Sequence, residues 1–306
     1  MKIAVLGPGG VGGLLAGVLA RAGEDVTVVA RESTAALIAE RGIEVRSVTF
    51  GDFVARPQTC DRLQETVDLL IVATKAAGME PALERIAVEP GLVLPQLNGL
   101  DHIPLLRERF APERVLAGSI RIEADRPEPG VVVHTSPFLL VSMASAHASA
   151  QGPMHAFGDV LEKADVPIRY DSSEAQCMWS KLVRLNALAC TTSAYDKLLG
   201  EIRSTPSLRS DLVGAIEEAC AVALAEGADE TDPARALGEL ERAHDTLGSS
   251  MQRDIAAGRT PELDAIPGSV LRAAARHDLH CPTIERLVLM TAERAGISPP
   301  LVTEGI

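Results

Sequence analysis

Met1-Lys-Ile-Ala-Val-Leu-Gly7-Pro-Gly9-Gly10-Val11-Gly12 is the stretch on which the reading of the chain turns. A short apolar run, Ile3 to Leu6, leads straight into Gly7, Gly9 and Gly12, spaced as G-x-G-x-x-G. A helical pattern follows at once, with Val11, Leu14, Leu15, Val18 and Leu19 recurring at i, i+3, i+4, i+7 and i+8. Gly23 stands where a helix C-cap glycine belongs, and a second strand, Val26 to Ala30, comes next. Strand, glycines, helix and strand together predict a dinucleotide-binding βαβ unit; outside that setting the same glycines are a plain turn. In such a unit Gly7 allows the tight turn, Gly9 lets backbone approach a pyrophosphate, and Gly12 lets the helix lie close on the strand. The helix N-terminus then presents free N–H groups to the phosphates.

Outward from that stretch, strand-like and helical patterns alternate. The predicted strands are Lys2–Leu6, Asp25–Arg31, Ile43–Val48, Val67–Thr74, Gly91–Gln96 and Arg114–Ile122. Alternation of this kind implies a mostly parallel sheet with helices on its faces. Gly130–Ser142 is predicted to close the sheet in antiparallel fashion, and Ala144–Pro153, rich in Ala and Ser, reads as a loop. Beyond about residue 172 long Ala/Leu/Glu/Arg-rich segments take over: Ser173–Ser193, Leu208–Glu226, Asp232–Gly258, Thr260–His277 and one more near the end. The fold class is an α/β N-terminal domain, residues 1–170, followed by an all-α domain, residues 171–306, with the boundary between Val166 and Ser173. Ligands of open α/β sheets sit beyond the carboxyl ends of the strands, so the expected active site is the cleft between the domains.

Composition narrows the function classes. The net charge of −13 over 306 residues argues against nucleic acid or an anionic membrane as partner. An anionic ligand must then be held by a few placed cations. No apolar run reaches the roughly 18 residues of a spanning helix, and the first strand begins at once with no signal peptide before it, so a cytoplasmic protein is expected. The cysteines (60, 177, 190, 220 and 281) include no C-x-x-C pair and read as small buried residues in a reducing compartment.

Two positions bear on which nucleotide binds. NAD sites place Asp or Glu at the end of the second strand, whereas NADP sites tend to have a basic residue there. Arg31 directly follows the apolar run and favours NADPH; Glu32 beside it keeps NAD open. Lys75 ends the fourth strand in Ala-Thr-Lys-Ala and is either a second cation for a phosphate or an ordinary surface lysine.

Five segments, taken together, resemble the ketopantoate reductase (2-dehydropantoate 2-reductase) family: KIAVLGPGGVGG at the start, Ala-Thr-Lys-Ala at 73–76, Leu-Asn-Gly at 97–99, Trp-Ser-Lys-Leu at 179–182, and Ser-Ser-Met…Asp-Ile…Gly-Arg-Thr-Pro-Glu-Leu-Asp at 249–264. The likeness runs from Met1 to about Ala292. It implies a Rossmann-type first domain, a helical second domain, and NADPH-dependent reduction of an α-keto acid to a D-2-hydroxy acid. It places a general-acid lysine at Lys181, a supporting asparagine at Asn98, and substrate-binding residues at Ser250 and Glu262, with Glu262 counted among the catalytic groups. The implied cofactor contacts are Gly7, Gly9, Gly10, Val11, Gly12, Arg31, Lys75 and Asn98, with Arg31 and Lys75 on the 2′-phosphate. No metal is implied, and a homodimer is a family expectation.

Each transfer has its own physics. Hydride reduction of a ketone makes an alkoxide, which needs a proton donor or charge stabilisation. Lys181 stands on a helix that is apolar around most of its circumference, about 60° from Arg184 and about 100° from Ser180, so a narrow wet stripe is the competing reading. Asn98-Gly99 is also a turn dipeptide, Ser250 an interior helical serine, and Glu262 a favourable first-turn acid after Thr260 as N-cap and Pro261.

The chain departs from the family at Leu185 and Ala189, where asparagines commonly stand four and eight residues after the lysine; Asn186 lies about 100° off the first of these. Leu97 replaces the family's glutamine, with Gln96 displaced by one. By resemblance the default acceptor is 2-dehydropantoate, reduced to pantoate; a more apolar pocket opens the choice to a bulkier or less hydroxylated keto acid. His277, His280 and Cys281 match no structural zinc spacing; His102 and His134 stand singly, His102 near Asn98 at a helix entry. Two alternatives stay open: a related D-2-hydroxyacid dehydrogenase acting on another keto acid, with NAD, and a non-catalytic NADP-binding sensor.

Overall fold

The computed structural model describes residues 1–302. The chain divides into two units, one of Met1–Leu97 with His102–Cys177, the other of Asn98–Asp101 with the chain from Met178 onward.

The first unit carries the strands β1 (Lys2–Leu6), β2 (Asp25–Val29), β3 (Ile43–Ser47), β4 (Phe53–Ala55), β5 (Gln58–Cys60), β6 (Leu69–Val72), β7 (Leu92–Pro95), β8 (Ala117–Arg121), β9 (Ala124–Glu128), β10 (Val131–His134), β11 (Leu140–Ala144) and β12 (Ile168–Tyr170). Its helices are α1 (Gly10–Arg21), α2 (Glu32–Arg41), α3 (Met79–Leu83), α4 (His102–Arg109) and α5 (Ala148–Lys163). The central sheet runs β5-β2-β1-β6-β7, every pair parallel. That is the mononucleotide-binding order, with the strand order reversing beside β1. Alternation along the strands sorts the core onto two faces. Ile3, Val5, Leu69, Ile71, Leu92 and Leu94 bury with Leu14, Leu15, Val18 and Leu19 of α1 and Met154, Phe157 and Leu161 of α5. Ala4, Leu6, Leu70, Val72 and Val93 bury with Met79, Leu83 and Leu106 on the other face. At roughly 1.5–3 kcal/mol per fully buried large aliphatic, these two layers hold the nucleotide-loop scaffold.

The remaining strands depart from the single closed sheet expected above. β3 lies in a second sheet, β4-β3-β10-β9, and β11 in a third, β12-β11-β8. The segment 130–142 therefore splits. β10 pairs parallel with β3, while β11 pairs antiparallel with β8. Ser136 makes the break: its hydroxyl donates to Phe138 O (2.7 Å) and accepts from Glu123 N (2.9 Å), and Pro137 has no N–H to continue a ladder. The expected loop at 144–153 is helix from Ala148. Ala150, Met154, Phe157, Val160 and Leu161 recur at helical spacing and are buried, so their packing overrides the loop-like Ala, Ser, Gly and Pro among them.

The division between units falls inside α6 (Glu174–Tyr195), after which the second unit continues as α7 (Leu199–Ser204), α8 (Pro206–Ala225), α9 (Pro233–Arg242), α10 (Ser250–Ala256), α11 (Ser269–Arg276) and α12 (Pro282–Ala295). Among the described residues this unit holds no strand. The helix expected over 232–258 is two. Asp232 caps α9 by accepting from Ala234 N and Arg235 N, and Ser249 caps α10 by accepting from Gln252 N. Arg203 ends α9 by donating to the carbonyls of Leu240 and Glu241, both at 2.7 Å. Helix over 260–277 also starts later than expected, with neither Thr260 nor Pro261 in a helix. The chain enters through a π-turn, Asp264–Gly268. Pro267 has no N–H for Leu263 O, so Gly268 N donates to it instead (3.1 Å), widening the turn by one residue.

Candidate active site

At the end of β1 the glycine positions divide by what demands them. Gly7 has φ +91°, open to glycine at no steric cost. A Cβ on Gly12 would lie 2.2 Å from Gly7 O, and one on Gly10 2.4 Å from Ala124 O. Those two glycines are required by the protein's own packing. Gly9 is different, because a Cβ there would meet only Ala73 O, at 4.0 Å. Nothing in the fold asks for glycine at Gly9, the N-cap of α1, and its bare face is the approach a pyrophosphate needs. The first bond of α1 is Gly13 N to Gly9 O, so the amides of Gly10, Val11 and Gly12 precede the helical ladder and point toward that face. Arg31 is the N-cap of α2 and exposed, with Glu32 the first residue of the helix. Lys75, also exposed, stands just beyond β6.

The second unit brings together three residues far apart in sequence. Lys181, half-buried on α6, donates from Nζ to Asn98 Oδ1 at 2.7 Å, and Asn98 Nδ2 donates to Glu262 Oε2 at 3.0 Å. The asparagine amide has one orientation that serves both neighbours: turned over, its NH₂ would face the ammonium. Gly99 makes the approach possible. Its φ is +86°, and a Cβ would sit 1.9 Å from Ala265 O in the π-turn that follows Glu262. Asn98 is thus pressed against the segment carrying Glu262, with helix α6 supplying the lysine.

Around Lys181 the helix is packed hard, with Trp179, Leu182 and Val183 buried. On its lysine face come Leu185, half-buried, and Ala189, buried. Asn186 is fully buried on another face, where its Oδ1 accepts from Cys190 Sγ at 3.5 Å. Arg184 pairs with Glu239 at 3.3 Å. Burial lowers the proton affinity of that guanidinium, and the Glu239 carboxylate opposes the fall.

Ser250 is the first residue of α10, half-buried, and stands outside the run of bonds from Lys181 through Asn98 to Glu262. Its neighbour Ser249 is the anchored one, accepting from Thr192 Oγ1 at 2.9 Å and from Gln252 N at 3.0 Å. Asp254 of α10 accepts from Arg259 Nε at 2.9 Å, tying α10 to the loop that leads into Glu262. His102 opens α4 and is buried, and His277 bonds Glu226 through Nε2 at 2.7 Å. Among the described residues no group of three or more His, Cys, Asp or Glu could hold a metal, and no helix is long and apolar enough to cross a membrane.

A glycine loop on a parallel sheet, followed by a helical unit with a hydrogen-bonded lysine, is the architecture of a nicotinamide-dependent oxidoreductase. Residues 3–143 match the ketopantoate reductase PanE/ApbA family and residues 175–295 its C-terminal domain. The chain belongs to the ketopantoate reductase family, whose members are oxidoreductases acting on CH–OH groups. It is 27% identical to the uncharacterized oxidoreductase YkpB of Bacillus subtilis, over 93% of this chain and 96% of that one. It is 26% identical to the 2-dehydropantoate 2-reductase of Halobacterium salinarum, over 97% and 100%. In fold it is similar to D-mandelate dehydrogenase in its ternary structure with NADH and anilino(oxo)acetate, with a TM-score of 0.87 at 20% identity, covering 97% of this chain and 99% of that one.

Proposed function

We propose that the protein reduces an α-keto acid to the D-2-hydroxy acid with NADPH, Lys181 protonating the nascent alkoxide. The observation that carries this reading is the run from Lys181 through Asn98 to Glu262, with contacts of 2.7 and 3.0 Å. An ammonium held in a half-buried place is suited to polarise a keto oxygen and then to release a proton to it. Asn98 acts by aiming Lys181, and Glu262 acts by holding the Asn98 amide in the one orientation that accepts from the lysine. Glu262 and Ser250 are assigned to the substrate's hydroxyl and carboxylate groups.

NADPH supplies the hydride. Residues 1–170 carry its site, with Gly7, Gly9, Gly10, Val11 and Gly12 around the pyrophosphate, Arg31 and Lys75 on the 2′-phosphate, and Asn98 a further contact; residues 171–306 carry the proton donor. Two exposed cations beyond the strand ends support the phosphorylated nucleotide over NAD. The default acceptor is 2-dehydropantoate, reduced to pantoate, as family membership suggests; Leu185 and Ala189 on the lysine face are the observation that favours a bulkier or less hydroxylated keto acid as the second reading.

Lys181→Ala tests the assignment. Its NADPH affinity, measured by quenching or energy transfer, stays within about twofold of the parent, while turnover falls by about 10²–10⁴-fold, the range of a lost general acid. Unimpaired turnover would overturn the role of Lys181. A panel of 2-dehydropantoate, branched and aromatic keto acids with each nucleotide identifies the acceptor. Tight NADPH binding with no keto acid turned over would mark the chain as a nucleotide sensor.

A further inference from the structure

The loop that carries Asn98 and the turn that follows Glu262 are joined a second time, on one side chain. Arg272 of α11 is only 14% exposed. Its Nη2 donates to Asp101 Oδ2 at 2.6 Å and to Asp264 O at 2.9 Å. Its Nη1 donates to Asp264 Oδ1 at 2.8 Å and to Leu301 O at 3.0 Å. Asp101 lies three residues after Asn98, and Asp264 two after Glu262. The guanidinium therefore grips both segments just behind the groups that touch each other. Burial works against its charge, but the bonds from Asp101 and Asp264 outweigh it and hold the group above its ordinary proton affinity.

We propose that Arg272 is a positioning residue for the reduction: by holding Asp101 and Asp264 on one planar fork it sets the separation of Asn98 from Glu262, and through Asn98 the aim of Lys181 Nζ. The proposal rests on the reading of Lys181 given above. Arginine is needed because the bridge uses donors fixed in one plane; a lysine ammonium reaches one carboxylate as a point charge and leaves the other loose. Close packing at Gly99 brings the two segments together but does not stop them sliding, since a single backbone approach constrains one direction only. The ion pairs supply the second constraint. A displacement of about 1 Å at such a site costs up to 10²-fold in rate.

The test compares Arg272→Lys, Asp101→Asn and Lys181→Ala with the parent, using the keto acid of highest turnover in the panel above. Asp101→Asn keeps an acceptor and lies on a side chain that is 41% exposed, so the fold tolerates it. For each variant the readouts are kcat corrected for folded fraction, keto-acid KM, NADPH affinity, and the basic limb of the kcat–pH profile. Arg272→Lys is expected to lower kcat by about 10- to 100-fold, and Asp101→Asn by a smaller factor. Both move the basic limb while leaving NADPH affinity within about twofold. The proposal is overturned if kcat and the limb match the parent, or if the loss only tracks the folded fraction with the limb in place. Lys181→Ala separates the two readings: if it turns over substrate normally, the proton-donor assignment has failed, whatever Arg272→Lys does.

Discussion

The glycine loop and the Lys181 run are built in opposite ways. Gly7 to Gly12 are consecutive, and their work is done by backbone: a turn at φ +91°, a helix so close that a Cβ on Gly12 would lie 2.2 Å from Gly7 O, a bare N-terminus. Lys181, Asn98 and Glu262 come from a helix, a loop and the approach to a π-turn, and their work is done by side chains that meet only when the fold is complete. A backbone site is written in spacing; a side-chain site is written in packing. The two regions should therefore fail differently when disturbed.

The sharpest contrast pits Gly99→Ala against Gly12→Ala. Each forces a Cβ into a carbonyl, at 1.9 Å from Ala265 O and 2.2 Å from Gly7 O respectively, and Gly99 adds a positive φ. Gly99→Ala should cost about 3 kcal/mol or more in stability. It should also lower kcat about 100-fold by pushing Asn98 away from its partners, while weakening NADPH in the folded fraction by less than Gly12→Ala does, because Asn98 is one nucleotide contact among several. Gly12→Ala should do the reverse, weakening NADPH by a comparable factor. Denaturant melts with nucleotide titrations read both. If Gly99→Ala weakens nucleotide binding as much as Gly12→Ala does, the separation drawn between the two regions is wrong.

Gly9→Ala makes a smaller and cleaner break. Its Cβ has room within the protein, so stability should change by less than about 1 kcal/mol. NADPH affinity should fall about tenfold, equivalent to about 1.4 kcal/mol, because the methyl occupies the face offered to phosphate. Unchanged affinity would remove the pyrophosphate from this face.

The difference in construction also explains what could be read in advance. The first strand, the glycine turn, α1 and the parallel pairing of β1 with β2 follow from local spacing. The 144–153 segment misled because its Ala, Ser, Gly and Pro content hides a helical stripe completed only by Phe157 and Leu161. The π-turn was invisible because it arises from one missing proline N–H and its consequence at Gly268. Lys181, Asn98 and Glu262 stand out in the sequence only by resemblance to the family. Physics alone left each with an ordinary alternative, and no periodicity links positions 98, 181 and 262. Arg272 and Asp101, 171 residues apart, carried no signal in sequence at all.

Within the side-chain region, Leu185→Asn probes the acceptor. It places an amide on the lysine face, four residues after Lys181. The ratio of kcat/KM for 2-dehydropantoate over an aromatic or branched keto acid should rise about tenfold, the value of one well-made polar contact. A ratio that stays fixed would take Leu185 out of the substrate's surroundings.

The smallest expected effect lies in the second sheet of the first unit. His134 of β10 is buried, with Nδ1 2.8 Å from Ser47 Oγ and Nε2 3.2 Å from Ser136 Oγ. The Ser136 proton goes to Phe138 O, so Ser136 accepts from the ring and Nε2 carries the hydrogen. Nδ1 is then the acceptor, taking the Ser47 hydroxyl proton, while Ser47 Oγ accepts from Thr49 N and Phe50 N. A second ring proton would turn Nδ1 into a donor facing an oxygen that already serves two amides. Burial likewise pushes the pKa below the ordinary value, with the Phe138 carbonyl and the Glu123 charge pulling the other way. The unfolded chain protonates near the usual histidine value of about 6.5 while the folded chain resists. Stability from this group is therefore complete above that pH and declines as the pH falls below it. The Tm of the parent should drop more steeply between about pH 6.5 and 5 than that of His134→Gln, which cannot titrate, and turnover per folded molecule should be unaffected by the substitution. Parallel melting curves would show that His134 accepts its proton without cost. A change in turnover would mean that the second sheet, and not only the glycine loop beside it, reaches the chemistry.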